Sequence, residues 1–353
     1  MNTNGSKMNG VNANGLDWNR VMTPQVARKP DSRISTLFAP IAAGLAEAER
    51  IFDLELESDL PFVGRLVEHC RQYRGKRLRP ALVLLTGLAC DGLNKNHPVL
   101  AAVVEMIHTA TLVHDDILDE SMVRRHAATV NAEWGNEPAV LMGDFLFTHA
   151  FHLAASLDST LACRWIGRAT NRVCEGEMQQ VHNRGNIELD EETYFSIIRG
   201  KTAELTAVSC RLGAHYAGAA PKVVDAMETY GRELGVAFQI ADDVLDILGE
   251  ERTAGKSLGT DLEKQKLTLP LIHLLSTAPA AVADQARELL DHPTSTSRRI
   301  LRPLLEEHGS LEYTWERALQ VAARSLGALD VLAESQAKDT LRSLAHFVVR
   351  RSC

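Results

Sequence analysis

From residue 34 onward, apolar residues recur every three or four positions over long stretches, the spacing that lines them up on one stripe of a helix. The pattern predicts helices over residues 34–54, 60–73, 80–88, 98–118, 137–157, 160–182, 191–217 and 221–248, with shorter ones over 280–290, 311–332 and 340–350. Pro80, Pro98 and Pro221 fall in first turns, where a missing amide donor costs nothing. Period-two alternation with turn dipeptides is missing, so no sheet is expected. Several of these helices are apolar on most faces and must be surrounded by others. The fold class expected is all-α, one large helical bundle around a buried central layer.

Residues 1–30 are rich in Asn and Gly and carry no periodicity. They read as a disordered tail ahead of a helical domain spanning 31–353. The polar stretch 249–267 interrupts the helices, and so long a loop in a helical domain is expected to cover a site.

With 353 residues, 45% of them hydrophobic, the chain can bury a large core. Its formal charge of -8 argues against a nucleic-acid partner, so an anionic ligand would need local basic residues or bound metal. Six cysteines are scattered without a CxxC pair, which suits reduced thiols in a cytosolic protein. No apolar run approaches the ~18 residues of a spanning helix, and the start lacks a charged-then-apolar signal pattern. A cytoplasmic protein without a membrane span is expected.

Two acidic clusters change the picture. Asp115, Asp116 and Asp119 end the apolar helix over 98–118, and Asp242, Asp243 and Asp246 repeat the spacing near the end of 221–248. Positions i and i+4 share a helix face, so Asp115 and Asp119 can reach one ligand. Unpaired charge in an apolar helix is costly, and clustered carboxylates repel one another, so some are neutral unless a cation compensates them. Hard oxygen ligands of this kind suit Mg²⁺, which also binds substrate phosphates.

From about residue 34 to the C-terminus the chain resembles the trans-polyprenyl diphosphate synthase family, and most closely its long-chain, octaprenyl- or solanesyl-type members. The ordered motifs that carry this are Gly75-Lys76-Arg77-Leu78-Arg79-Pro80, Asp115–Asp119 followed by Arg124-Arg125, Lys201-Thr202, Gln239 with Asp242–Asp246, and then Lys256, Asp261 and Lys266. Two positions depart from the pattern: His126 and Gln265 stand where the family commonly has glycine.

The resemblance implies a helical bundle of the isoprenoid synthase type with a central cavity. It also implies a reaction in which isopentenyl diphosphate attacks the carbocation left by an ionising allylic diphosphate. Asp115, Asp116, Asp119 and Asp242 are the implied metal ligands, with Asp243 and Asp246 ligating or supporting them. About three Mg²⁺ would be held with substrate bound. Arg124, Lys201, Lys256 and Lys266 would grip the allylic diphosphate. Lys76, Arg79, His108 and Arg125 would grip isopentenyl diphosphate, arginine suiting phosphate through its planar fork. Lys201, Thr202 and Gln239 would be catalytic, the last two stabilising the carbocation. A homodimer is implied as well.

The growing chain would run from Asp115 back along its own helix. Residues there set the product length, at ~5.4 Å per turn. Ala110 and Thr111 are small, with Ile107 and Met106 beyond them. This predicts a long membrane-soluble product, roughly thirty to fifty carbons, of the quinone side-chain kind. The alternatives are a short-chain farnesyl or geranylgeranyl synthase, a non-catalytic subunit of a heteromeric synthase, and a terpene cyclase. The complete set of aspartates and basic residues weighs against the subunit, and the second aspartate motif against the cyclase.

Overall fold

The computed structural model describes residues 36–249, 260–294 and 296–349. The predicted tail over 1–30, the first residues of the 34–54 helix, Lys256 and the chain from 350 onward lie outside these ranges. The expected helices form as α1 (Ala42–Glu55), α2 (Pro61–Cys70), α3 (Leu78–Cys90) and α4 (Asn96–Leu118). After a short α5 (Val130–Trp134) come α6 (Asn136–Ala155), α7 (Leu161–His182), α8 (Glu191–Ile198), α9 (Glu204–Tyr216) and α10 (Pro221–Leu248). The C-terminal part adds α11 (Thr260–Glu263), α12 (Leu269–Thr277), α13 (Ala280–Asp291), α14 (Ser297–Glu307), α15 (Ser310–Ala328) and α16 (Gln336–Val349).

The short α5 and α11 are not among the expected helices, and three further features depart from the sequence reading. The helix expected over 191–217 is broken by a π-helical turn, Arg199–Ala203. Helices α12 and α14 were not expected. In α12 the run is short and apolar nearly all round, so periodicity carries no signal. In α14 a proline, Pro303, stands inside the helix and reads as a breaker. There is also a two-stranded hairpin, β1 (Val123–Arg124) with β2 (Ala127–Ala128).

The core is built on α3, α9 and α10. Every residue of α3 from Pro80 to Gly87 is buried. Helix α9 packs between α3 and α10, and α10 lies along α15. Glycine lets these axes approach: a Cβ on Gly231 of α10 would sit 2.9 Å from the Ala207 Cα of α9. Helix α4 packs against α1, α3 and α6. Segment 260–268 then connects the C-terminal ends of α4 and α10, the two ends that carry the aspartates.

Both two-residue turn positions of the hairpin, Arg125 (φ 51°) and His126 (φ 65°), are left-handed. Such a turn matches the strand twist but favours glycine or asparagine. The glycine usual at position 126 in the family thus has a conformational reason. His126→Gly is expected to stabilise the protein by about 0.5–1 kcal/mol, read as a rise in the denaturant midpoint. A lower midpoint would mean that the imidazole makes a compensating contact.

Candidate active site

The aspartates at the end of α4 diverge. Asp116 points inward, is fully buried, and is held by Arg124, whose Nε donates to Oδ1 and Oδ2 at 2.9 and 3.0 Å. Asp119 is the C-cap of α4 and meets three cations: Lys266 Nζ at 3.1 Å, Arg184 at 3.0 Å and Lys264 at 3.7 Å. Burial raises the Asp119 carboxyl, but Lys266 and Lys264 outweigh it and leave it below the ordinary value. Asp115 is half-buried and lies within electrostatic reach of Lys201. Burial pushes its carboxyl up to about 6, and Glu177 and Asp119 add to this against the pull of Lys201 and Arg124. A carboxyl held that high asks for another cation.

Lys201 stands opposite, in the π-helical turn. Its ammonium bonds Glu177 of α7 at 2.7 Å. Burial works against its charge, yet Asp115 and Glu177 keep it above the ordinary lysine value. The turn reaches this position through a close crossing of glycines: a Cβ on Gly200 would lie 2.9 Å from the Arg172 carbonyl and 3.0 Å from the Gly176 Cα. Short π-helical turns commonly mark functional sites because they redirect side chains without ending the helix.

Next to Lys201, the Thr202 hydroxyl donates to Gln239 Oε1 at 2.9 Å. Gln239 Nε2 donates to Asp243 Oδ1 at 2.8 Å, and the Tyr194 hydroxyl donates to Asp243 Oδ2 at 2.6 Å. Burial and Asp261 drive the Asp243 carboxyl well above its ordinary value, against the pull of those two bonds. Tyr194, Lys201, Thr202, Gln239, Asp243 and Lys266 all line one cleft. Asp242 is half-buried and Asp246 buried on the same stretch of α10. Among the described residues no three carboxylate, histidine or cysteine side chains converge on a point. A divalent ion would thus take part of its shell from water or phosphate, as Mg²⁺ does.

The basic residues form a second region. Burial lowers Arg79 to about 10; Glu105 opposes the shift, and the like charge of Arg125 adds to it. The Arg79 Nε is buried and has no hydrogen-bond partner among the described residues. Burial, with Arg79, Arg125 and Arg124, holds His108 well below the ordinary imidazole value, hence neutral. Arg125 donates to the Tyr73 carbonyl, and any side chain on Gly75 would collide with its guanidinium. A side chain there would push the guanidinium aside, away from the Tyr73 carbonyl. Lys76 is set apart, its Nζ 5.6 Å from the Phe347 ring centroid. A half-buried and an exposed arginine, Arg79 and Arg125, with so little carboxylate against them make a site for an anion.

Of the predicted chain-length residues, Met106, Ile107 and Ala110 are fully buried. Thr111 is half-buried, and its hydroxyl donates to the His108 carbonyl at 2.8 Å. Lys256 lies outside the described residues.

Residues 61–307 match the polyprenyl synthetase family. An octaprenyl diphosphate synthase of Haemophilus influenzae is 40% identical over 301 residues, 84% of this chain and 91% of that one. The chain belongs to the polyprenyl synthetase family. An all-trans-nonaprenyl-diphosphate synthase (geranyl-diphosphate specific) of Rhodobacter capsulatus is 34% identical over 316 residues, 89% of this chain and 97% of that one. Among solved structures, a polyprenyl synthase from Caulobacter crescentus CB15, complexed with calcium and isoprenyl diphosphate, superposes with a TM-score of 0.87. It is 34% identical and covers 93% of this chain and 100% of its own. The all-helical isoprenoid synthase fold and the prenyltransferase class are thereby borne out.

Several family-site neighbours escaped the sequence reading: Glu177, Arg184, Lys264, Tyr194 and Glu105. For Glu177 a signal existed, since it lies one turn beyond buried Val173 on the stripe α7 buries. Arg184 and Lys264 offered none, because each meets Asp119 only through the fold.

Proposed function

We propose that this protein is a Mg²⁺-dependent trans-prenyltransferase that condenses isopentenyl diphosphate with an allylic diphosphate, such as farnesyl or geranylgeranyl diphosphate. Its product would be a long-chain polyprenyl diphosphate for a quinone side chain. The observation that carries this reading is the sorting of charge along α4. A carboxylate rim around Asp115 and Asp119 is followed, two turns or ~10 Å back, by the anion site of His108, Arg79 and Arg125. Two diphosphates, one taken with metal and one without, fit that sorting.

Asp115, Asp119 and Asp242 would hold the ions, with Asp246 nearby. Bound Mg²⁺ would neutralise the charge that develops on the departing diphosphate. Asp116 keeps Arg124 at the rim by pairing with it. Lys201, Lys266 and Lys256 would take the allylic diphosphate, so Lys266 exchanges its bond to Asp119 for phosphate oxygens. Arg79, Arg125, His108 and Lys76 would take isopentenyl diphosphate. The allylic C–O bond breaks with its electron pair going to diphosphate, and the alkene pair forms the new C–C bond. The released diphosphate takes the proton. Gln239 Oε1 and Thr202 Oγ1 turn oxygen dipoles towards the developing cation, and neither is a nucleophile strong enough to trap it.

Long product length is supported by Ala110 and by the octaprenyl and nonaprenyl relatives. A homodimer is supported by apolar side chains exposed on α6 and α7: Val140, Leu141, Met178 and Val181. No described helix is long and apolar enough to cross a membrane, in keeping with catalysis in the cytoplasm on a product that enters the membrane.

The test is incorporation of labelled isopentenyl diphosphate by purified protein onto primers of several lengths, with products separated by size. Excess chelator is expected to abolish turnover and Mg²⁺ to restore it. Undiminished turnover in chelator would sink the metal role, and products of fifteen or twenty carbons only would favour the short-chain alternative.

A further inference from the structure

Resting on the reaction just proposed, we infer that Tyr194 is a positioning residue: through Asp243 it sets which end of the Gln239 amide faces the reacting carbons. The juxtaposition is a chain of three hydrogen bonds linking four residues on three elements. Tyr194 on α8 donates to Asp243 Oδ2 at 2.6 Å, and Gln239, one turn earlier on α10, donates through Nε2 to Asp243 Oδ1 at 2.8 Å. Thr202 in the π-helical turn donates to Gln239 Oε1 at 2.9 Å. All four residues line the cleft.

An amide side chain presents opposite charge at its two ends, an accepting oxygen and a donating nitrogen. Beside a carbocation the difference is decisive, since the oxygen stabilises it and the N–H₂ group repels it. Nothing in the shape of Gln239 selects one end. The selection comes from Asp243, which holds the nitrogen end and leaves the oxygen end beside Thr202. Asp243 can do this only while its own plane is held, and the Tyr194 hydroxyl grips its second oxygen. Both Asp243 oxygens hold a protein donor, so this aspartate serves orientation whether or not a remaining lone pair also meets a metal. Tyr194 is fully enclosed, 3% exposed, and carries a polar group that no diphosphate contact requires.

The experiment compares Tyr194→Phe, Asp243→Asn and Gln239→Ala by steady-state kinetics, with KM for both substrates and the Mg²⁺ half-saturation measured for each. Tyr194→Phe keeps the ring and is expected to lower kcat about tenfold, with KM values and Mg²⁺ half-saturation within about twofold of the parent. Asp243→Asn has nearly the same shape but inverts the donor pattern. Its carbonyl accepts the hydrogen bond from the Tyr194 hydroxyl, its N–H₂ then faces Gln239, and the Gln239 amide must turn over. The expected kcat loss is about 100-fold or more, larger than for Gln239→Ala, which removes the dipole without reversing it. Circular dichroism and thermal midpoints establish that each variant folds; if Tyr194→Phe does not, the order of Asp243→Asn and Gln239→Ala decides alone.

Parental kcat in Tyr194→Phe overturns the inference. So does an Asp243→Asn enzyme more active than Gln239→Ala, or one whose rate excess Mg²⁺ restores, because that behaviour belongs to a metal ligand. A parent enzyme inactive on every diphosphate pair would instead sink the proposed reaction, a separate outcome.

Discussion

Lys201→Ala is expected to cut kcat/KM for the allylic diphosphate roughly 30- to 1000-fold, equivalent to ~2–4 kcal/mol, while KM for isopentenyl diphosphate stays near the parent value. Lys201 is the cation that acts most strongly on Asp115 and is tied to Glu177 at 2.7 Å. Without it, Glu177 and Asp115 confront one another in a buried region, and the phosphate loses one of the cations proposed to hold it. Arg125→Ala is expected to do the reverse. Its guanidinium belongs with Arg79 and His108, so KM for isopentenyl diphosphate rises and the allylic side is spared. Initial rates with each substrate varied in turn make the comparison. If the two variants exchanged roles, the division of α4 into an allylic and an isopentenyl end would be wrong.

Ala110→Phe is expected to shift the products to about fifteen or twenty carbons while the first condensations and the metal requirement remain. Ala110 lies five residues before Asp115, ~7.5 Å along the axis, and is wholly buried in the core. A phenyl ring there fills space that the lengthening tail needs, and forcing a chain past it costs ~1–3 kcal/mol or more. Ala110 is itself assigned no diphosphate contact, so the side chains of both diphosphate sites are kept. Product sizing after exhaustive incubation reads the result. Unchanged length would mean that the tail takes another path; an unfolded variant would mean that Ala110 is a close helix contact only.

The residues that departed from the family pattern proved legible only in part. His126 and Gln265 were noticed because glycine is usual there, but not why. Both have left-handed backbones, as do Arg77, Glu120 and Arg125 beside the same site. Gln265 accepts from the Gly185 amide at 2.9 Å through its carbonyl, and its side chain reaches the Leu290 and Asp291 carbonyls that end α13. A glutamine can tie the segment carrying Lys266 to α13, which a glycine cannot. That gain is visible only once α13 is in place.

What the sequence by itself determined is what a few neighbouring residues decide. Helical hydrogen bonds close over four positions, so the apolar repeat specified the long helices, and two DDxxD clusters at helical spacing announced a cation and a phosphate. The tertiary structure decided how those charges pair. Asp115, Asp116 and Asp119 look equivalent in the sequence, yet one faces Lys201, one closes on Arg124 and one meets Lys266, 147 residues away. Likewise the π-helical turn that presents Lys201 and Thr202 depends on Gly176 and Gly200 meeting, and the opening of the basic motif on Arg125 lying over Gly75. Electrostatic pairing and close packing depend on distance in space. Residues remote along the chain set them, and local periodicity carries no record of which partners the fold will bring together.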